Sequence, residues 1–159
     1  MTQVYLSIGS NIERNKNIRA CIQHLRQDYP DIVFSNIYET PAFGFDGNPF
    51  YNLAAGLSTE QSLEQLQSYL KNLESTQQRQ PDTKKFSART LDIDILLFGD
   101  LILQPNIDIP RKEITLYNFV LYPLQEIAAK VIHPELKISI HDLAKQSSLP
   151  QDTLKLITL

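Results

Sequence analysis

Leu91-Asp92-Ile93-Asp94-Ile95-Leu96-Leu97-Phe98 reads as one β-strand with two acids set into an apolar run. Side chains two apart on a strand share a face. Asp92 and Asp94 therefore project side by side, while Leu91, Ile93, Ile95 and Leu97 project to the other face. Two carboxylates this close repel each other unless a positive charge lies between them. A hard divalent cation with oxygen ligands meets that need, and Mg2+ ordinarily comes with phosphates. On its own a D-x-D pair also describes a solvated strand face. Here the strand is too apolar for a solvated edge, and the acidic face turns apolar at Leu96 and Phe98, as expected where a strand emerges from a core.

Upstream of this strand, Arg79, Lys84, Lys85 and Arg89 are opposed only by Asp82, in a chain whose net charge is −3. Gln80-Pro81-Asp82-Thr83 has the composition of a loop. Two accounts stay open. The stretch is a basic surface loop, or its cations close over a polyphosphate held at the aspartates. Arginine suits the second role, because its planar fork binds phosphate oxygens two at a time.

Toward the N-terminus, Val4, Leu6 and Ile8 alternate with Tyr5 and Ser7 and predict a first strand, ended by Gly9-Ser10-Asn11. Ile18, Cys21, Ile22 and Leu25 have helical spacing, with Pro30 and Asp31 as the break. Ile32 to Tyr38 is β-branched and aromatic and predicts a second strand. A loop from Thr40 to Pro49 leads to a third strand over Phe50 to Leu57, with Phe50, Asn52 and Ala54 on one face. Ser58 and Gln61 have the spacing of a capping box. Leu63, Leu66, Leu70 and Leu73 form the stripe of the helix behind it, with Glu74 near its end.

Beyond the Asp strand, Gly99-Asp100 predicts a tight turn into Leu101–Leu103, and 105–112 reads as irregular. Val120 to Ala129 predicts a short helix broken at Pro123, and Ile140 to Gln146 a last one; the tail carries little signal. Strand, helix, strand, strand, helix, strand, with the middle strands antiparallel, is the split β-α-β pattern of an α+β, ferredoxin-like fold. It is not the regular alternation of a doubly wound sheet.

With 159 residues and a 42% hydrophobic share, one domain with a real core is expected. We place it over 1–159, with its core at about 3–134 and a C-terminal extension over 135–159. The acidic balance argues against bulk electrostatic binding of nucleic acid. A single cysteine, Cys21, allows no internal disulfide and fits a reducing compartment. No signal-peptide pattern and no apolar run of transmembrane length is present, so a cytoplasmic protein without a membrane partner is expected.

Other constellations carry less on their own. Gly9-Ser10-Asn11 opens a helix, whose free N–H groups suit an anion or a polar ligand edge; an ordinary strand–helix connection is the simpler account. Phe50 and Asn52 share a strand face, and Phe119 stands near Pro123. An aromatic ring beside an amide suits a flat heterocycle, stacked and read along its edge. Core phenylalanines and a turn asparagine describe the same residues. His24, His133 and His141 lack metal spacing, and Cys21 falls on an apolar stripe, so none is taken as catalytic.

Together, Ile8-Gly9-Ser10-Asn11, Tyr38-Glu39-Thr40-Pro41, Phe50-Tyr51-Asn52, the run from Arg89 to Gly99, and Phe119-Val120-Leu121-Tyr122-Pro123-Leu124 resemble the 6-hydroxymethyl-7,8-dihydropterin pyrophosphokinases of folate biosynthesis. The resemblance extends from about Tyr5 to about Pro134. It implies a ferredoxin-like monomer that moves the diphosphoryl group of ATP to the pterin hydroxymethyl oxygen and releases AMP. On that resemblance Asp92 and Asp94 hold two Mg2+ ions, and Arg79, Lys85 and Arg89 neutralise the phosphates. Phe50 and Phe119 sandwich the pterin. Asn52, with Thr40, Pro41 and Phe43, lines its edge. Glu74 matches an acidic position whose role the resemblance leaves open, as it does for Gly9, Ser10 and Asn11.

Three positions depart from the family pattern. Phe86 stands where a tryptophan is frequent, and keeps a stacking surface for the nucleotide. Arg111 follows Pro110 where a histidine is frequent, and Tyr117 replaces a frequent basic residue two before Phe119. Arg111 and Lys112 are expected to compensate at the ATP site. A non-catalytic pterin or nucleotide binder of the same fold is the alternative reading. A nucleic-acid-binding domain is a third, and salt-sensitive binding would mark it.

Overall fold

The computed structural model describes residues 1–42, 47–76 and 91–159. In order along the chain lie β1 (Thr2–Ser10), α1 (Arg14–Asp28), β2 (Val33–Phe34), β3 (Ile37–Thr40), β4 (Phe50–Thr59), α2 (Leu63–Thr76) and β5 (Asp92–Phe98). They are followed by α3 (Glu113–Leu116), α4 (Asn118–Ala128), α5 (Ile140–Gln146) and β6 (Lys155–Ile157). The strands form one sheet in the order β5-β1-β4-β3-β6, with β2 also paired to β4. Among the described residues every pairing is antiparallel. The expected α+β, ferredoxin-like architecture is therefore present, extended at one edge by β6.

Each face of the sheet is buried by a different set of helices. Leu6, Ile8, Leu53 and Leu57 meet the stripes of α1 (Ile18, Cys21, Leu25) and α2 (Leu63, Leu66, Leu70, Leu73). Side chains such as Leu6, Ile8 and Leu66 are wholly buried, each stabilising the fold by roughly 1.5–3 kcal/mol. Across the sheet, Tyr5, Ala54, Leu96 and Leu97 pack on Val120, Leu121 and Leu124 of α4. That helix covers only one end of its face. The other end, at the start of β5 and β4 and the finish of β1, is left for a cavity.

Four local expectations are corrected. The first concerns Ile32 to Tyr38, which is two short strands separated at Ser35. There the hydroxyl accepts the N–H of Ala54 at 2.8 Å, and the Ser35 N–H is donated to the Ala54 carbonyl at 2.9 Å. A side chain thus replaces one rung of the ladder.

Secondly, the cap of α2 is Ser62 with Gln65. The Gln65 N–H donates to Ser62 Oγ at 3.1 Å, and the Ser62 N–H to Gln65 Oε1 at 2.8 Å. Ser58 instead donates to Gln3 across the sheet.

Thirdly, strict alternation fails late in β5. Tyr5 faces Leu97 while Leu6 faces Ile95, so Leu96 is an extra residue. This bulge sends both Leu96 and Leu97 to the α4 side and Phe98 toward the α1/α2 core.

Lastly, α4 runs through Pro123 unbroken. Only one ladder bond is removed by the proline ring, and burial of Val120, Leu121, Leu124 and Ala128 holds both sides of it.

Two smaller features follow the expectation in part. Gly99 makes its turn at φ +56°, a conformation open to glycine. Leu103 then forms only a single bridge, to Ile109. The C-terminal segment, weakly signalled in sequence, adds a strand: Ile37 pairs with Ile157 and Glu39 with Lys155.

Candidate active site

Three neighbouring strands bring the candidate residues into one row. Asp92 of β5 lies opposite Gly9 of β1, and Gly9 lies opposite Asn52 of β4. Two residues along, Asp94 lies opposite Ser7, and Ser7 opposite Ala54. Cross-strand partners share a face, so both carboxylates and the Asn52 amide project to the side that α4 leaves open. They line a cavity of about 780 Å3 whose walls include Phe50, Phe119 and Arg111.

Gly9 is the floor between acid and amide. A Cβ there would lie 2.9 Å from Asn52 Oδ1. Asn52 is buried, and its Nδ2 donates to Thr40 Oγ1 at 2.6 Å. With the amide nitrogen so engaged, Oδ1 is held over the glycine. Pro41 lines the same end of the cavity. Phe43 lies outside the described residues.

Glu74 takes up a position that the sequence left without a role. Among the described residues β5 is an edge strand, whose outer backbone groups need partners other than a neighbouring strand. Glu74 is buried, and its Oε2 accepts the Ile93 N–H at 2.7 Å. The residue between the two aspartates is thereby pinned to α2.

Among the described residues, acidic side chains outnumber basic ones around Asp94. Burial, with the Asp92 carboxylate beside it, pushes the Asp94 carboxyl up to about 7. The guanidinium of Arg111, 3.5 Å from Asp94 Oδ1, offsets this only in part. Arg111 is itself shared, because Nε and Nη2 donate to the Glu113 carboxylate at 2.7 and 3.3 Å.

A divalent cation fits such a donor set. Mg2+ commonly takes one or two carboxylates and completes its shell with water and substrate phosphates, so two aspartates suffice. Among the described residues no group of three or more His, Cys, Asp or Glu side chains is arranged to hold an ion alone.

Other predicted residues fall elsewhere. Ser10 Oγ donates to the Ile12 carbonyl at 3.2 Å, and Asn11 Nδ2 donates to the Asn48 carbonyl at 3.0 Å. Both tie the end of β1 to nearby loops, and neither lines the cavity. Lys112 is exposed and also outside it. Arg79, Lys85, Phe86 and Arg89 lie outside the described residues. Burial pushes the Cys21 thiol up to about 12, in keeping with a core side chain. Nδ1 of buried His133 accepts the N–H groups of Glu135 and Leu136, a local turn away from the cavity.

Sequence reading missed part of the lining, where Glu64, Gln67, Ser68 and Lys71 of α2 also border the cavity. Their helical spacing beside the leucine stripe was visible, but a polar stripe of that kind equally describes a solvated face.

The fold and this cavity define a ferredoxin-like α+β domain in which a carboxylate pair and a buried amide share a cavity with two phenylalanines. Residues 5–129 match the family described as 7,8-dihydro-6-hydroxymethylpterin-pyrophosphokinase (HPPK), and the chain belongs to that family. It is 31% identical over 159 residues to the 2-amino-4-hydroxy-6-hydroxymethyldihydropteridine pyrophosphokinase of Aquifex aeolicus, covering 98% of this chain and 95% of that one. With the protein of the same name from Haemophilus influenzae it shares 32% over 151 residues, covering 92% and 93%. A solved Plasmodium falciparum HPPK-DHPS triple mutant with pteroate superposes with a TM-score of 0.73 at 16% identity. That match takes in 99% of this chain and 47% of the longer one, and it bears on the fold. No helix among the described residues is long and apolar enough to cross a membrane.

Proposed function

We propose that this protein transfers the diphosphoryl group of ATP to the hydroxymethyl oxygen of 6-hydroxymethyl-7,8-dihydropterin and releases AMP, acting as a cytoplasmic monomer. One observation carries the reading: the in-register row that sets Asp92 and Asp94 on the same open face as Asn52, within a cavity walled by Phe50 and Phe119.

The pterin ring lies between the two phenylalanines. Asn52, oriented by Thr40, reads its donor and acceptor edge. The nucleotide occupies the other half of the cavity, with its nucleoside against Gln67, Ser68 and Lys71 and its triphosphate running back to the aspartates. Asp92 and Asp94 are the residues that would hold two Mg2+ ions, which when bound neutralise the phosphate chain and favour ionisation of the attacking hydroxyl. Arg79, Lys85 and Arg89, from the basic stretch, supply further positive charge. Arg111 stays at the rim, anchored by Glu113 and close to Asp94.

The nucleophile belongs to the substrate, so the chain needs none of its own. Its contribution is placement of two reactants and a fixed field around the transferred group, which is where most of the acceleration in phosphoryl-type transfer arises. The direct test measures AMP release from ATP and Mg2+, with and without the pterin. Release of AMP that depends on the pterin supports the reading. Tight pterin binding with no AMP above blank would replace it with the non-catalytic binder.

The glycine floor provides a second check. Gly9→Ala forces the Asn52 amide off its present position, at about 1–3 kcal/mol of overpacking strain. Calorimetry should show pterin affinity falling by at least about tenfold, because a misplaced amide leaves ring-edge hydrogen bonds unmade. Affinity for Mg2+ and nucleotide should hold. An unchanged pterin affinity would remove Asn52 from the edge-reading role.

A further inference from the structure

Tyr117 and Phe119 stand at the junction of α3 and α4 with their rings stacked, centroids 5.1 Å apart and planes within 7°. Residues two apart on a helix do not face each other. These two do, because Tyr117 is extended (φ −127°, ψ 128°) and precedes the first turn of α4. Its backbone is fixed from both sides. The Tyr117 N–H donates to the Glu113 carbonyl at 3.1 Å, and its carbonyl accepts from Val120 at 3.1 Å and Leu121 at 3.0 Å. The Tyr117 ring is thus a plate laid against one face of Phe119, and both residues line the cavity.

An aromatic side chain on an open wall loses rotamer freedom when a ligand stacks on it, and that loss weakens binding. A ring already stacked has lost the freedom beforehand. Because Phe119 lines the cavity, a flat ring bound there can continue the same parallel stack. We propose that Tyr117 is a positioning residue that pre-orders Phe119, so that a pterin completes a stack running Tyr117, Phe119, ligand and Phe50. The inference rests on the pterin reading given above. It ascribes the effect to the ring of Tyr117, at a position where the family pattern frequently has a basic side chain, and not to its hydroxyl.

The test titrates wild type, Tyr117→Ala and Tyr117→Phe separately with 6-hydroxymethylpterin and with Mg2+ plus a non-hydrolysable ATP analogue, with thermal melts alongside. Tyr117→Ala should weaken pterin binding by roughly three- to tenfold. Tyr117→Phe should stay within about twofold of wild type, as should nucleotide binding by both variants. Should Tyr117→Ala not fold, Tyr117→Leu takes its place, since it keeps bulk without a flat face. Unchanged pterin affinity in the variant lacking the ring overturns the proposal. So does an equal loss in Tyr117→Phe, which would assign the effect to the hydroxyl, and so does a parallel loss of pterin and nucleotide, which would mark general distortion. A wild-type protein that binds no pterin overturns the pterin reading and this inference together, whereas tight wild-type binding with indifferent variants overturns the inference alone.

Discussion

Asp94→Asn should lower turnover by about three orders of magnitude while making the ligand-free protein more stable at pH 8. The loss follows from charge. A carboxylate pair that neutralises a phosphate chain through its bound cations contributes several kcal/mol to the transition state, and loss of a single well-placed electrostatic partner commonly costs 10²–10³ in rate. The gain in stability has the same origin. Asp94 is half-buried beside Asp92, and its carboxyl is pushed from the ordinary 3.8 up to about 7 although Arg111 lies 3.5 Å away. Between those two pH values the folded protein holds more protons than the unfolded chain. Its stability therefore falls as pH rises through that window and stays lowest above about 7.

An amide at position 94 has no charge to bury, so Asp94→Asn escapes that fall. The two proteins should melt together near pH 4 and diverge by about 2–6 °C at pH 8, the variant higher. Mg2+ with nucleotide should raise the wild-type melting temperature at pH 8 and do little for the variant. Scanning calorimetry at the two pH values, with an AMP-release assay, reads all three. Turnover kept above a tenth of wild type would sink the metal-ligand assignment. A variant that melts lower than wild type at pH 8 would sink the electrostatic account of the site.

Glu74→Ala should destabilise the fold by about 2–4 kcal/mol and cut turnover by about ten- to a hundredfold, although Glu74 is assigned no contact with substrate. Its Oε2 accepts the N–H of Ile93, the residue between the two aspartates. Removing the acceptor leaves a buried backbone donor without this partner, at roughly 1–3 kcal/mol, and opens a small void at the end of α2. Relief of repulsion with Asp94, for which Glu74 is the smallest of the upward influences, offsets little of this. The kinetic loss follows because the strand end carrying Asp92 and Asp94 is no longer fixed, and small misplacements of reacting groups are expensive.

Glu74→Gln keeps an oxygen acceptor. It should stay within about 1 kcal/mol of wild type in urea unfolding and retain most of the activity, since the bond to Ile93 survives. If alanine and glutamine behave alike, in either direction, the pinning of β5 is not what Glu74 does.

How far the chain could be read in advance differed from element to element. Asp92 and Asp94 were placed on one face by the period of a strand, and the row through Gly9 and Asn52 bears that out. The same period failed three residues later at Leu97, because the bulge at Leu96 depends on the partner strand and leaves no mark in an apolar run. Ser58 and Ser62 each have a glutamine three residues on. Only the point where the chain leaves β4 chooses Ser62 as the cap. Pro123 predicts a break by local rule, yet burial on both sides outweighs one missing hydrogen bond. The polar stripe of α2 was plain in the sequence, but whether it faced water or a ligand depended on what lay opposite.

Order of elements, membership of the family and the chemical types at the site come from the chain alone, because periodicity and motif are local properties carried by neighbouring residues. Which edge of β5 Glu74 holds, how Asn52 is aimed, and what rests behind Phe119 come from packing. Each depends on a contact between residues far apart in sequence or on a turn whose direction the rest of the molecule sets, and such contacts exist only once the sheet has closed and the helices have settled on its two faces.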